Sequence, residues 1–214
     1  MENRKHTSLK DLAQALGVSI PTVSRALKDS PEISRELCTK AKALAKEMNY
    51  RPNPFAMSLR KNAPRIIGVI VPDIVTHFFA SILNGIENMA IANGYFVIIT
   101  TSHESYEHEK RNIENLVNMR VEGIIACLSQ ETTDFSHISA LKDINMPLIL
   151  FDRVCLTDQF SSVIADGAQS AQMATQHLLD NGSERVAFIG GANHLDIVKR
   201  RKHGYLEALR ENRI

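Results

Sequence analysis

The chain has 214 residues, enough for one large domain or two smaller ones, and its 44% hydrophobic and 23% charged residues are ordinary for a soluble globular protein. No apolar run in the sequence reaches membrane-spanning length. The net charge of +1 hides an asymmetry: residues 1–62 carry 12 Lys or Arg against 6 Asp or Glu (net +6), and residues 63–214 carry 13 against 18 (net −5). Charge alone fits either a polyanion partner for the N-terminal part or a solvated basic face.

The N-terminus and the cysteines indicate the cellular compartment of the protein. The polar start, Met-Glu-Asn-Arg-Lys-His, lacks the apolar core of a secretory signal, so we expect a cytoplasmic protein. Cys38, Cys127 and Cys155 are an odd number without CxxC spacing, which argues against a disulfide framework and against a zinc site. We expect all three thiols to be buried and chemically inert.

Residues 8–28 predict two short helices joined by a tight turn. Ser8 with Asp11 is close to a capping box, Gly17 suits a left-handed C-terminal position, and Ser19 can cap the second helix. This pattern is typical of a helix-turn-helix, whose second helix lies in the major groove of DNA. A helical hairpin inside a small bundle remains the alternative.

The second helix has two sides. The spacing places Ile20, Val23 and Leu27 on or near its buried side. The outward-facing residues are Thr22, Ser24 and Arg25. A third helix is predicted after Ser34 and closes a three-helix bundle, with Lys40, Lys42 and Lys46 facing solvent. Two prolines within residues 49–54 then predict a linker, followed by one or two helical turns over residues 55–61.

From Pro64 onward, short apolar β-branched runs alternate with helical patterns. The predicted strands are Ile66 to Val71, Phe96 to Thr100, Gly123 to Cys127, Leu148 to Phe151, Ser162 to Ala165 and Val186 to Ile189. The predicted helices are Phe79 to Asn93, His108 to Arg120, Ser136 to Ile144, Ala168 to Asn181 and Lys199 to Asn212. The alternation predicts an α/β fold with a doubly wound parallel sheet covered on both faces.

Ligands of such sheets bind outside the carboxyl ends of the strands. The sequence there contains neither a phosphate-binding loop nor a nucleophile elbow, so nothing in it indicates an enzyme or a cofactor. A metal site can be assembled on paper from residues 103–108, but a polar loop leading into a helix explains them better. Those residues are His103, Glu104, Glu107 and His108.

Several motifs together resemble the LacI/GalR family of bacterial transcription regulators. In the head they are Leu9-Lys-Asp-Leu-Ala, Gly17-Val-Ser, Thr22-Val-Ser-Arg25, Asn49-Tyr-Arg-Pro-Asn53 and Ser58-Leu-Arg60. In the body they are Ile67-Gly-Val-Ile70, Phe78-Phe79, Gly123-Ile-Ile125, Phe151-Asp-Arg153, Arg185-Val-Ala-Phe-Ile-Gly-Gly191, Gly204-Tyr205 and Ala208-Leu209. The resemblance covers residues 7–212 and implies a head, a hinge and a periplasmic-binding-protein-like core.

The resemblance implies four segments: a helix-turn-helix domain over residues 1–52, a hinge helix over 53–62, a first lobe over 63–160 and part of a second lobe over 161–214. Family members are longer than this chain and continue well past the position of Ile214, so we expect a core truncated in its second lobe. The effector pocket then lacks its far wall. For that reason we expect this chain to bind effector weakly or not at all.

The resemblance also implies DNA contacts. Arg25 corresponds to a residue that reads guanine, and Ile20 and Pro21 are placed for apolar contact with bases. Backbone positioning is implied for Ser19, Thr22 and Ser24. The hinge helix begins at Asn53, and its Leu59 is expected to enter the minor groove as an apolar wedge.

For the effector, the resemblance implies stacking on Phe78 and Phe79, hydrogen bonds to Asp152 and a polar or anionic contact to Arg201. Two alternatives stay open: both phenylalanines belong to the core at a helix start, or Asp152 and Arg153 form a local ion pair. A sugar-like effector is favoured over a purine.

The resemblance favours a repressor over an activator, and it implies that the protein binds a pseudo-palindromic operator as a homodimer in the bacterial cytoplasm, associated with the nucleoid when bound. No membrane partner is expected. Two alternatives remain: a sugar-binding sensor module that does not act on DNA, and a doubly wound enzyme such as a flavodoxin-like reductase.

Overall fold

The computed structural model describes residues 7–50 and 65–214. The chain divides into two compact units, with the boundary between residues 63 and 64. The expected hinge, with Asn53 and Leu59, lies outside the described residues. Among the helices of the described residues, none is both long and apolar enough to cross a membrane.

The first unit is a bundle of three helices: α1 (Leu9–Leu16), α2 (Ile20–Ala26) and α3 (Arg35–Glu47). Each begins after a serine whose hydroxyl oxygen accepts a hydrogen bond of 3.3 Å from the backbone N–H three residues on. The three capping residues are Ser8, Ser19 and Ser34. Small and branched side chains fill the space between the helices. The buried residues are Leu12, Ala13, Val23, Ala26, Cys38, Ala41 and Ala45.

The turn between α1 and α2 depends on Gly17. Its φ of 65° lies in the left-handed region, which residues with a Cβ adopt at a cost. The backbone N–H of Val18 donates to the carbonyl of Ala13, which closes the end of α1. The predicted helix-turn-helix geometry is therefore confirmed for residues 8–28.

The second unit is built on a five-stranded parallel sheet in the order β2-β1-β3-β4-β5. The strands are β1 (Ile66–Val71), β2 (Phe96–Thr101), β3 (Gly123–Ala126), β4 (Leu148–Phe151) and β5 (Ser161–Val163). The register pairs Ile67 with Val97 on one side and with Gly123 on the other. This order, with β1 inside and later strands added outward, confirms a doubly wound arrangement.

Five helices of the described residues follow these strands: α4 (His77–Ala92), α5 (Tyr106–Asn118), α6 (Ser136–Asp143), α7 (Gly167–Asp180) and α8 (Asp196–Glu211). One face of the sheet packs against α5 and α6 through Ile113, Leu116, Ile138 and Leu141. The opposite face packs against α4 through Phe79 and Leu83. Helices α7 and α8 pack against each other. The α/β fold expected from the sequence is thus confirmed.

Three expectations differ from the structure, and two of them concern the edge of the sheet formed by β5. Residues 161–163 pair with β4 in parallel, so the strand predicted from Ser162 to Ala165 instead spans Ser161–Val163, and the lobe division after residue 160 stays a prediction. The coverage of both faces is incomplete there, because Ile149 and Val163 remain 41% and 67% exposed.

The third difference concerns residues 186–189, which form no strand, and Ile189 is 97% exposed. A strand needs a neighbour to satisfy its backbone hydrogen bonds. No strand within the described residues pairs with this segment.

Candidate DNA-binding and effector-binding sites

The start of α2 presents polar side chains at the surface of the first unit. The hydroxyl oxygens of Ser19 and Thr22 lie 2.8 Å apart, and Ser19 also caps the helix through the backbone N–H of Thr22. Ser24, one turn after Pro21, is partly exposed. Hydroxyl side chains of this kind contact phosphates and fix the register of a helix on DNA.

Ile20 and Pro21 form an apolar surface at the same end of α2. Ile20 is 41% exposed, so the expectation from spacing that it lies on or near the buried side is wrong. Val23 and Ala26, each fully buried, already fill the core beneath α2, and Ile20 as the first helical residue projects beyond it. The exposed apolar pair suits contact with a thymine methyl group.

Arg25 lies in the last turn of α2, and 59% of its side chain is exposed. Its Nη1 lies 3.1 Å from Oε2 of Glu32, in the turn that leads to α3. A guanidinium has five N–H donors, so this single contact leaves others free for guanine O6 and N7.

Two of the three lysines of α3 have protein partners. Lys40 donates to Glu36 over 2.7 Å, and Lys42 donates to the carboxylate of Asp29, with its Nζ 2.7 Å from Oδ1. Both lysines are exposed, as the solvent-facing prediction requires.

The two phenylalanines expected to contact the effector differ in exposure. Phe79 is only 5% exposed and packs edge-to-face on Phe151, with ring centroids 6.4 Å apart. Phe78 is 51% exposed and meets Phe79 edge-to-face at 5.1 Å. The core alternative therefore describes Phe79, because α4 turns that ring toward the sheet, and only Phe78 offers a ring face at the surface.

Asp152 follows β4 directly and adopts a φ of 57°. Burial raises the pKa of this carboxyl, while the positive charges of Arg153 and then Arg201 act in the opposite direction. The Cys127 Sγ lies 4.0 Å from the Asp152 Oδ2. Arg201 is exposed, and its side chain lies beside Gly167 at the start of α7. Asp152 and Arg201 are therefore close enough for the positive charge of Arg201 to act on the carboxyl of Asp152.

Arg153 pairs with Glu104 across 49 residues of sequence, so its ion pair is not the local one with Asp152. The guanidinium donates to both carboxylate oxygens, over 2.6 and 2.9 Å, and also to the carbonyl of Leu128 over 3.1 Å. Glu104 further accepts from the backbone N–H of Gln130. Glu104 is thus committed to protein partners. Within residues 7–50 and 65–214, no group of three or more His, Cys, Asp or Glu is placed to hold a metal ion.

A small cavity lies beside Asp152. Its lining residues are Asp152, Ile164, Ala165, Gly167, Asp196, Ile197 and Arg200. Asp196 and Arg200 form an ion pair over 2.5 Å on one side of α8. Neither was singled out from the sequence, although their i, i+4 spacing on a predicted helix was the available signal. A contact between two loops was also not predicted from the sequence: His194 Nε2 lies 2.7 Å from the carbonyl oxygen of Gln130.

Comparison with known proteins agrees with this geometry. Residues 65–213 match the family described as periplasmic binding proteins and sugar binding domain of LacI family, and residues 8–53 match bacterial regulatory proteins, lacI family. The chain is 32% identical over 204 residues to the ribose operon repressor of Bacillus subtilis, covering 95% of this chain and 60% of that protein. It is 32% identical over 212 residues to catabolite control protein A of Priestia megaterium, covering 97% and 62%.

Among solved structures, the chain is similar to the lac repressor dimer bound to operator and the anti-inducer ONPF. The TM-score is 0.76 at 26% identity, over 98% of this chain and 63% of that one. It is also similar to the Cra regulator of Pseudomonas putida in complex with fructose 1-phosphate, with a TM-score of 0.64 at 27% identity, over 68% and 54%. The chain spans about 60% of the length of the curated relatives it matches. With both of its units matched in order, the chain belongs to the LacI family of bacterial regulatory proteins.

Proposed function

We propose that this chain is the DNA-binding head and part of the effector-binding core of a transcription repressor. That repressor binds a pseudo-palindromic operator as a homodimer in the bacterial cytoplasm, associated with the nucleoid when bound, and in its complete form a small molecule controls it. Its function is binding, without catalysis. The observation that carries the proposal is the exposed side of α2, where hydroxyl, apolar and guanidinium groups stand together.

In this proposal each group of α2 has a separate role on DNA. Arg25 reads guanine through two hydrogen bonds, and Ile20 with Pro21 contacts thymine methyl groups. Ser19, Thr22 and Ser24 contact phosphates. Asn53 begins the hinge and Leu59 enters the minor groove, where an apolar wedge unstacks a base step and bends the duplex.

Homodimerisation is supported by the edge of the sheet. Strand β2 is an outer strand, and its Phe96 and Ile99 are 66% and 43% exposed. Met89 and Ile91, near the end of α4, are exposed as well. Large apolar side chains at an open edge favour association with a second copy. The similar lac repressor structure is a dimer bound to operator.

A sugar-like effector is supported by the edge of the sheet that carries Asp152. Its carboxylate suits sugar hydroxyls, and Arg201 suits a polar or anionic group. Phe78 offers a ring for stacking, and Phe79 holds that ring from beneath. The relatives include a ribose operon repressor and a regulator in complex with fructose 1-phosphate.

Selection from a pool of duplexes with randomised sequence tests the proposal. The 214-residue chain is incubated with the pool, bound duplexes are recovered and amplified, and the enriched sequences are read. We expect one pseudo-palindromic sequence to be enriched, because a two-fold symmetric dimer reads two half-sites. Recovery of duplexes without any common sequence would contradict the proposal.

A further inference from the structure

Three acidic residues of the first unit form ion pairs, and their partners differ. Asp29 pairs with Lys42 and Glu36 with Lys40, both on α3. Glu32 instead lies 3.1 Å from the Nη1 of Arg25, the proposed base-reading side chain. The side chains of Glu32 and Arg25 are 66% and 59% exposed, so neither is held by the core.

A carboxylate beside a base-reading arginine weakens DNA binding in general. Phosphates repel it, and it occupies a guanidinium that would otherwise pair with them. The unit as a whole is basic, with a net charge of +6 over residues 1–62. An acid at this position therefore acts against the positive charge that attracts DNA.

We infer that Glu32 determines specificity by holding Arg25 away from phosphates, so that Arg25 strengthens the complex only where a guanine is present. The inference rests on the proposed function. An exposed ion pair such as Arg25–Glu32 is worth about 1.4- to fivefold in an equilibrium constant. A phosphate contact that turns the guanidinium away from Glu32 must break this pair, so it adds little net affinity. A bidentate contact to guanine is worth about 5- to 160-fold and uses N–H donors that the single contact with Glu32 leaves free, so the pair persists in that complex.

The variant Glu32→Gln tests this inference, since it keeps the shape of the side chain and removes its charge. The 214-residue chain and the variant are titrated with the selected duplex and with a second duplex. In the second, the guanine whose replacement weakens wild-type binding most is changed to adenine. We expect the gain in affinity of the variant to be about 1.4- to fivefold larger on the substituted duplex than on the selected one, where Arg25 keeps its contact with guanine.

The salt dependence supplies a second readout. If the freed Arg25 takes up one more phosphate, the slope of log K against log salt on the substituted duplex steepens by about 0.9 in the variant. Glu36→Gln is the matched control, because it removes the same charge from an exposed ion pair on α3. We expect it to leave the preference for guanine unchanged.

The outcomes separate the two proposals. If Glu32→Gln strengthens both duplexes equally, or behaves as Glu36→Gln does, the inference is wrong while the proposed function stands. If the wild-type chain shows no preference for any sequence, the proposed function fails and the inference fails with it. Circular dichroism of each variant, matching the wild type, shows that the helices are intact.

Discussion

At the scale of single residues, the buried thiols provide a direct prediction. Burial raises the pKa of Cys127 and of Cys155 to about 12. At pH 8 only about one thiol in 10⁴ is then ionised, and the thiolate is the reactive form. In the Cys38→Ala variant, we expect a disulfide reagent such as Ellman's to label neither thiol on the timescale of free cysteine, and to label both after denaturation. Rapid labelling of the native variant would contradict this account.

Features that depend on neighbouring sequence were predictable at this scale. The caps at Ser8, Ser19 and Ser34 and the left-handed Gly17 follow from residues at most a few positions away, and the structure confirms all four. The burial of the three cysteines is confirmed as well. Each of these follows from local hydrogen bonding or from a side chain's preference for apolar surroundings.

Side-chain partners distant in sequence were not predictable. Arg153 meets Glu104 because the loops after β4 and β2 come together at one edge of the sheet, and the sequence does not reveal strand order. Phe78 and Phe79 follow one another at the start of α4, so a small shift in helical phase decides which ring enters the core. The sequence therefore left both alternatives open.

At the scale of elements, the contact of α7 with α8 depends on Gly204. A Cβ added there would lie 1.9 Å from the carbonyl oxygen of Ala168, a backbone atom that cannot move aside. We expect Gly204→Ala to lower the free energy of unfolding by about 1–3 kcal/mol or more, because the two helices must separate. Urea unfolding followed by circular dichroism measures the change.

Gly85→Ala is the matched control for that prediction. Gly85 lies within α4, is exposed, and has no atom within 4 Å of an added Cβ. Alanine there raises helix propensity, so we expect a gain of about 0.5–1 kcal/mol in the free energy of unfolding. Similar stability of the two variants would show that the contact at Gly204 is not as close as described.

The elements themselves were mostly predictable from periodicity. β1 and β4 have the predicted bounds, and β2, β3 and the five helices of the second unit differ from them by a few residues at most. Residues 186–189 show the limit of that reasoning. An apolar β-branched run becomes a strand only where another strand accepts its hydrogen bonds, and pattern alone does not reveal the neighbour.

At the scale of the whole molecule, charge and fold divide the chain in the same way. The basic residues are concentrated before residue 63, in the part that contains the helix-turn-helix unit, and the sheet unit carries the net negative charge. Such a division suits a protein in which one unit meets a polyanion and the other does not. The head charge alone was ambiguous; together with the exposed side of α2 it supports DNA binding.

The central claim is that α2 reads DNA through Arg25, and one measurement tests it most directly. Fluorescence anisotropy gives the affinity of the chain and of Arg25→Ala for the selected duplex and for the duplex in which the guanine is replaced by adenine. Arg35→Ala removes the same charge from the exposed start of α3 and serves as the control. We expect Arg25→Ala to lose about 1–3 kcal/mol on the selected duplex and its preference for guanine with it, while Arg35→Ala keeps that preference. An Arg25→Ala variant that still prefers guanine as strongly as the wild type would contradict the claim.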